Sequence, residues 1–314
     1  MKTYYPEIQP FHTFFLETGS KHSVYVEESG NPEGVPVIFL HGGPCSGTKP
    51  DHRRFFNPEF YRIILFDQRG CGQSLPFGEL ENNTTQDLIA DMEHIRKQLN
   101  IASWLVFGGS WGGALALLYA QQHYPHVSGL IIRAVFLARQ QDLEWFAESG
   151  AGRIYPEQWQ QLADNLPNES DNFLQSLYDI YEGKYETLKQ SITKAWMVWG
   201  AQVALGWLYQ PPSSDEPITE RMHMQVRMEL HYARHHYFIT EKQILDACSL
   251  LHNIPTKIIH GRQDLLCPLE AAMTLYRAMP HADLILLPNA GHIAQHEEMI
   301  DALVSATDQF MSKG

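Results

Sequence analysis

Short apolar runs recur along the chain and are separated by longer segments with helical spacing. The runs are typical of buried strands and read VIFL (37–40), RIILF (62–66), WLVF (104–107), LIIR (130–133), KIIHG (257–261) and LILLP (284–288). Helical patterns cover roughly residues 84–99, 112–124, 269–279 and 294–311. Strands that alternate with helices predict an α/β fold with a mostly parallel central sheet. The segment HSVYVEESG (22–30) is expected to add an antiparallel strand at the edge of that sheet.

This alternation is interrupted once, between residues 138 and 238. The interruption is rich in aromatic residues and helical in pattern, with the segments DLEWFAESG, PEQWQQLADNL, AWMVWGAQVALGWL and ERMHMQVRMELHYARHHYF. A turn-forming stretch, QPPSSDEP, separates the last two segments. We predict a core formed by residues 1–137 and 239–314, with residues 138–238 inserted as a helical cap.

Composition mainly excludes classes of partner. The 314 residues carry 23 Lys and Arg against 36 Asp and Glu, a net charge of −13. No basic run offers a footprint for nucleic acid or an anionic membrane. No stretch reaches the length of a membrane span, and the first residues, MKTYYPEIQPFHTFF, lack the apolar core of a signal peptide. A reducing cytoplasm is expected, because the cysteines are scattered without C-x-x-C spacing at Cys45, Cys71, Cys248 and Cys267.

The sequence GGSWG (108–112) lies between a predicted buried strand and a predicted helix. It fits the pattern G-x-S-x-G, in which a serine is held in a strained turn at the N-terminus of a helix. Flanking glycines are needed there because larger side chains would clash. Ser110 is therefore a candidate nucleophile. The alternative is a glycine-rich turn in which Ser110 only caps the helix.

A nucleophilic serine needs a base and an acid that orients the base, and hydrolases with this turn carry them in the order Ser, Asp, His. Asp264 follows the strand KIIHG, and His292 follows the strand LILLP. Both are expected at the sheet edge that presents Ser110. Taken singly, Asp264 could be a helix N-cap and His292 a capping or surface histidine. His296 is the rival base, but it is expected inside the last helix and at the surface.

An attacked carbonyl develops an oxyanion, which needs two backbone N–H donors already directed at it. One donor is expected from Trp111, directly after the candidate nucleophile. The other is expected from the loop HGGP (41–44), which follows the first central strand and resembles the HGGG-type oxyanion loop. We assign this second donor to Gly43.

Together, HGGP, DQRGCGQS (67–74), GGSWGG (108–113), AWMVW, RMELHY, GRQDLLCP and AGH resemble the proline iminopeptidases over nearly the whole chain. These are serine aminopeptidases of the α/β-hydrolase fold that remove N-terminal proline. The resemblance implies a catalytic triad, two oxyanion donors and two contacts to the proline ring. By motif, the triad is Ser110, Asp264 and His292, the donors are Gly43 and Trp111, and the ring contacts are Cys267 and Phe136.

The predicted cap departs from the family pattern. The family binds the free amino group of its substrate with two glutamates, whereas this chain keeps Glu229 and has Gly200 at the other position. Two positions that are usually aromatic are Ala147 and Ala233. A buried ammonium needs a carboxylate, and a ring needs apolar walls. We therefore expect a preference for a free N-terminus with a weaker preference for proline.

No nucleotide-binding glycine loop is present, so no cofactor is expected. The four histidines of one cap segment do not form H-E-x-x-H, and packing rather than a metal site is expected for His223, His231, His235 and His236.

The predicted function is a serine exopeptidase that releases an N-terminal residue through an acyl-enzyme. In the proline iminopeptidases this residue is proline. Its substrate would be a short peptide or small molecule with a free N-terminus. The first alternative is a cofactor-free esterase or amidase for neutral acyl groups, which the loss of a carboxylate at Gly200 would permit. The second is a binding protein without catalysis on the same fold. The sequence indicates no oligomeric state.

Overall fold

The computed structural model describes residues 1–147, 150–166, 173–211 and 217–311. Within these residues, one sheet of eight strands has the order β1-β2-β4-β3-β5-β6-β7-β8. The strands are β1 His12–Glu17, β2 Ser23–Gly30, β3 Val35–Leu40, β4 Tyr61–Phe66, β5 Trp104–Ser110, β6 Val127–Val135, β7 Thr256–Gly261 and β8 Asp283–Leu287.

The strands from β4 to β8 in this order pair in parallel, whereas β1 and β2 are antiparallel. All six strands predicted from apolar runs are present, but the last of them, β8, lies at the edge of the sheet and only its Leu287 is buried. The prediction that the segment 22–30 forms the edge was wrong, because β1 pairs with the outer side of β2. β1 itself has no clear sequence signal, since Leu16 is its only fully buried residue.

Helices cover both faces of the sheet, namely α1 Thr85–Gln98, α2 Trp111–Gln122, α9 Leu269–Ala278 and α10 Glu297–Met311. Successive residues of a strand point to opposite faces. On β5, Val106 belongs to a core cluster with Leu115 of α2, while Leu105 belongs to a second cluster with Leu303 of α10. The central strands are therefore apolar on both sides, which explains their continuous runs in the sequence.

Between β6 and β7 the structure has α3 Gln140–Ala147, α4 Pro156–Ala163, α5 Phe173–Tyr181, α6 Lys189–Leu205, α7 Glu220–Arg234 and the short α8 Gln243–Asp246. The four helical segments predicted here correspond to α3, α4, α6 and α7, and α5 was not predicted. These five helices contribute to a separate hydrophobic cluster that contains Trp196, Trp199 and Leu230. Most of QPPSSDEP lies outside the described residues. Among those described, no helix has both the length and the apolar character needed to cross a membrane.

Candidate active site

Ser110 lies at the turn between β5 and α2, with backbone angles of φ 55° and ψ −126°. Few residues with a side chain adopt positive φ, and the flanking glycines make this turn possible. A Cβ atom on Gly108 would lie 2.1 Å from the carbonyl oxygen of Gly112, and one on Gly112 would lie 2.1 Å from that of Leu40. Ser110 therefore stands at the N-terminus of α2 in the geometry expected of a nucleophile elbow.

Asp264 and His292 lie in the loops that follow β7 and β8. The His292 Nδ1 atom is 3.1 and 2.9 Å from the two carboxylate oxygens of Asp264. The backbone N–H groups of Leu266 and Cys267 donate to Asp264 Oδ1 at 3.0 and 2.8 Å. Burial raises the pKa of the Asp264 carboxyl, but its contacts with His292 and the backbone outweigh burial and hold that pKa below its ordinary value. Asp264 is thus an ionised acceptor that orients the His292 ring.

Ser110 and His292 line the same two cavities. Among the described residues, the polar side-chain partner of Ser110 Oγ is Cys267, whose Sγ atom lies 4.0 Å away. Arg133 donates to the carbonyl oxygen of His292 at 2.5 Å, which fixes the backbone that carries the ring. Catalytic hydrogen bonds are often long until substrate binds. The structure therefore brings the three predicted residues to one place, with the aspartate and histidine already paired.

His296 lies immediately before α10 rather than inside it, contrary to the prediction. Its Nδ1 atom is buried, and no hydrogen-bond partner for it occurs among the described residues. Because the Asp264 carboxylate pairs with His292, the contacts favour His292 as the base.

Asp264, Cys267 and His292 also form the one described group with ligand-type atoms close enough to hold a metal ion, within 4.8 Å of one another. A thiol must lose its proton to bind a metal. Burial raises the pKa of the Cys267 thiol well above its ordinary value. The Asp264 oxygens also accept hydrogen bonds from His292 and the backbone. These contacts favour proton transfer over metal binding.

A hydrogen-bond network through Gln68 connects the loop after β3 with the start of α2. The Gln68 side chain donates to the His41 carbonyl oxygen at 2.8 Å and accepts from the indole N–H of Trp111 at 2.9 Å. The Gln68 backbone N–H donates to His41 Nε2 at 3.0 Å, so that Nδ1 carries the proton and donates to the Gly42 carbonyl oxygen at 2.9 Å. Burial lowers the pKa of His41, which keeps this tautomer neutral.

The sequence reasoning assigned no role to Gln68. Its signal was a polar residue directly after a buried strand, inside the motif DQRGCGQS. The network holds the HGGP loop against the elbow. A Cβ atom on Gly42 would lie 3.4 Å from the Ser110 Cβ, and the next residue, Gly43, has a φ of 114°. Glycine thus allows the loop to approach Ser110 closely.

A cavity of about 570 Å³ opens from Ser110 toward the helices between β6 and β7. We call it the Glu229 cavity. Besides Ser110, Gly43 and His292, it is lined by residues predicted from the sequence to contact substrate or to depart from the family pattern, namely Phe136, Ala147, Gly200, Glu229 and Ala233. Cys267 does not line this cavity and lies instead beside Ser110 Oγ.

Glu229 is a carboxylate in this cavity whose hydrogen-bond partners are neutral, and Lys49, which also lines the cavity, forms no ion pair with it. Its oxygens accept from the Trp196 indole N–H at 2.8 Å and from the Gln225 amide at 3.3 Å, and no described cation pairs with it. Burial raises the pKa of the Glu229 carboxyl, and the two hydrogen bonds only partly oppose burial. A cationic group entering the cavity would therefore find an uncompensated acceptor.

A model of the alpha/beta hydrolase fold matches residues 35–299. A proline iminopeptidase of Neisseria gonorrhoeae is 42% identical over 308 residues, which cover 97% of this chain and 98% of the relative. A proline iminopeptidase of Xylella fastidiosa is 41% identical over 313 residues, with 99% and 100% covered. The chain belongs to the proline iminopeptidase family. This confirms the predicted family, fold class and hydrolase class.

Solved structures share the fold at lower identity. An archaeal carboxylesterase from Nitrososphaera gargenis has a TM-score of 0.63 at 16% identity, with 96% of this chain and 100% of that chain covered. An epoxide hydrolase from a hot-environment metagenome has a TM-score of 0.60 at 20% identity, with 96% and 99% covered. These likenesses concern the fold alone.

As a member of the proline iminopeptidase family, the chain was expected from its motifs to have a glutamate where Gly200 lies. This residue lies in α6, and a Cβ atom built on it would meet nothing within 4 Å. The space that a glutamate side chain would occupy is therefore part of the open Glu229 cavity.

Proposed function

We propose that this protein is a serine exopeptidase that releases the N-terminal residue, proline included, from short peptides through an acyl-enzyme. The paired Asp264 and His292 beside the elbow serine, with Glu229 unpaired in the same cavity, carry this proposal. The names of the relatives support it.

In the proposed reaction, Ser110 Oγ attacks the carbonyl carbon of the first residue while His292 accepts the serine proton. Asp264 stabilises the charged imidazole. His292 then protonates the departing amine, the C–N bond breaks, and an ester to Ser110 remains. Water, with His292 again as base, hydrolyses that ester.

The oxyanion would accept from the backbone N–H groups of Gly43 and Trp111. The network through Gln68 would hold both donors in place, because it connects their two segments.

Glu229 would bind the substrate's ammonium, with Phe136 beside the first side chain in the Glu229 cavity. Cys267 would contact the same residue from beside Ser110 Oγ, at the end of the cavity where the carbonyl group reacts. A charge-assisted hydrogen bond in a partly buried site contributes about 1.5–3 kcal/mol, enough to favour a free N-terminus.

We further propose that residues 138–238 form the cap over this site. We propose a cytoplasmic location, consistent with the four free cysteines, and no nucleic-acid partner.

Blocking the substrate amine tests this function. We expect prolyl-2-naphthylamide to be hydrolysed with a kcat/KM at least about tenfold above that of its N-acetyl derivative, because acetylation removes the charge that Glu229 binds. Equal rates would favour the esterase or amidase alternative, which Gly200 permits by removing a carboxylate.

A fluorophosphonate probe tests the catalytic assignment. It should label the wild type but not Ser110→Ala, and His292→Ala should lose labelling and turnover while His296→Ala keeps both. Labelling that persists in Ser110→Ala would place the nucleophile elsewhere.

A further inference from the structure

Ser110 and His292 also line a second, smaller cavity of about 190 Å³. We call it the Arg133 cavity, because Arg133 lines it and not the Glu229 cavity. Lys49 and His52 line it as well. The cavity has about one third of the volume of the Glu229 cavity, which suits a single amino acid residue rather than a long peptide.

The Arg133 cavity is basic. None of the described residues that line it is an aspartate or glutamate. Arg133 makes a hydrogen bond to the His292 carbonyl oxygen, and no described carboxylate pairs with it within 4.0 Å. Burial lowers the pKa of Arg133 in spite of the nearby Asp264, but guanidinium remains charged at neutral pH. Lys49 is exposed at the cavity and has no ion-pair partner among the described side chains.

His52 adds a neutral donor to this cavity. Its ring stacks on Phe39, with 4.3 Å between ring centroids, and its Nδ1 atom accepts from the Lys49 backbone N–H at 3.0 Å. Burial, followed by the neighbouring basic side chains, lowers the pKa of His52 to about 3. The ring is therefore neutral at neutral pH, and the proton is on Nε2.

The two cavities differ in charge and meet at the reacting serine. The Glu229 cavity has an unpaired carboxylate, whereas the Arg133 cavity has Arg133 and no acid among its described lining residues. Lys49 lines both cavities. A peptide whose ammonium binds Glu229 has its carbonyl carbon at Ser110. The Arg133 cavity, which adjoins the Glu229 cavity at Ser110, Gly43 and His292, is then open to the leaving residue.

We infer that the Arg133 cavity binds the C-terminal carboxylate of a one-residue leaving group, so that the preferred substrates are dipeptides with a free C-terminus. This inference rests on the proposed function, which places the ammonium at Glu229. Arg133 and Lys49 supply the charge, and guanidinium is suited to a planar carboxylate. The released product is a free amino acid, formed when His292 protonates the leaving nitrogen.

A matched pair of substrates tests this subsite in the wild-type enzyme. Prolyl-alanine and prolyl-alaninamide differ only in the charge at the C-terminus. We expect kcat/KM for prolyl-alanine to be about tenfold higher or more, mainly through KM, because the carboxylate is bound both before and during the reaction. The ratio should decrease as salt is added, because the exposed Lys49 is screened.

Variants assign the effect to the cavity. Lys49→Met should lower kcat/KM for prolyl-alanine about tenfold more than that for prolyl-2-naphthylamide, which has no carboxylate. Arg133→Met should lower kcat/KM for prolyl-alanine further. This variant also loses the hydrogen bond to His292, so its folding must be checked. Lys49→Met keeps the test valid if Arg133→Met misfolds, because the Lys49 side chain is exposed. Lys242→Met removes the same charge from an exposed lysine that lines neither cavity. In this control, the ratio of kcat/KM for prolyl-alanine to kcat/KM for prolyl-2-naphthylamide should equal that of the wild type.

The outcomes separate the two proposals. If prolyl-alaninamide is hydrolysed as fast as prolyl-alanine, or if Lys49→Met keeps the wild-type ratio, the carboxylate subsite is wrong and the exopeptidase function stands. If no prolyl compound is hydrolysed, the proposed function fails and this inference fails with it.

Discussion

Burial raises the pKa of the Glu229 carboxyl, and its hydrogen-bond partners are an indole and an amide rather than a cation. An ionised carboxylate there costs folding stability. The same lack of a cation leaves its charge available to a substrate ammonium. In the proposed function, a single residue thus opposes stability and favours binding, a conflict expected where side chains serve function.

The Glu229→Gln variant should therefore be more stable and less active. We expect its Tm to exceed that of the wild type at pH 8, and its kcat/KM for prolyl-2-naphthylamide to fall about tenfold or more. The folded pKa of Glu229 lies above the unfolded value, so the wild type loses stability as pH rises from the ordinary value of 4.5 through the folded pKa. The Tm difference should vanish below pH 4, as differential scanning calorimetry can measure.

Glu33→Gln is the matched control, since Glu33 is exposed in the turn before β3. The Tm and the kcat/KM of this variant should equal those of the wild type. A Glu229→Gln enzyme with wild-type activity would show that Glu229 does not bind the ammonium.

At the scale of elements, the site depends on how the loop after β3 and the N-terminus of α2 are held together. Both segments follow parallel strands that are neighbours in the sheet, β3 and β5. Gln68, which follows β4, bridges them with buried hydrogen bonds at 2.8 and 2.9 Å. The proposed oxyanion donors therefore belong to segments whose spacing is set by one side chain.

Replacing Gln68 by Leu should lower kcat much more than it raises KM. The variant leaves the Trp111 indole N–H and the His41 carbonyl oxygen without their partner, and a misplaced oxyanion donor is expected to cost about 10–100-fold in kcat. Stability should fall by about 1–3 kcal/mol, the usual cost of an unpaired buried group. Steady-state kinetics and urea unfolding measure the two effects.

Tyr119→Phe separates catalysis from stability. Tyr119 is a buried residue of α2 whose hydroxyl group donates to Glu93 at 2.7 Å and accepts from Trp104 at 3.2 Å. This variant should lose stability and keep kcat. If Gln68→Leu and Tyr119→Phe lose the same amount of kcat, the loss in Gln68→Leu is caused only by lower stability.

At the scale of the whole molecule, the Glu229 cavity lies where helices inserted between β6 and β7 meet the loops of the sheet. Its size depends on small residues at Ala147, Gly200 and Ala233. A cavity of about 570 Å³ exceeds what a proline ring needs, so larger N-terminal side chains are expected to fit.

Gly200→Leu should restore selectivity for proline. The new side chain would enter open space, because a Cβ atom there meets nothing within 4 Å. We expect kcat/KM for leucyl-2-naphthylamide to fall about tenfold or more relative to the prolyl compound. Gly200→Ala is the control, with nearly wild-type selectivity and about 0.5–1 kcal/mol more stability, as expected inside a helix. An unchanged leucyl-to-prolyl ratio in Gly200→Leu would show that this part of the cavity does not bind the first side chain.

The sequence by itself determined the elements and the order of the chemical groups. The strands β3 to β7 were predicted because they are buried on both faces and form continuous apolar runs, and the edge strand β8 has such a run although only Leu287 in it is buried. The elbow was predicted because its glycines are required by local geometry around Ser110. Asp264 and His292 were located by their places after buried strands. Each of these signals is local, and a local pattern can be read from neighbouring residues.

Only the tertiary structure decided how those elements meet. The place of β1 outside β2 depends on strand pairing, which a half-exposed strand does not show in its sequence. Gln68 contacts His41 and Trp111, 27 and 43 positions away, because three parallel strands end at one edge of the sheet. The placement of Glu229 and Arg133 in two different cavities that meet at Ser110 likewise depends on which loops and helices pack together. Charges so far apart in the chain act on one substrate only after long-range packing has fixed their distances.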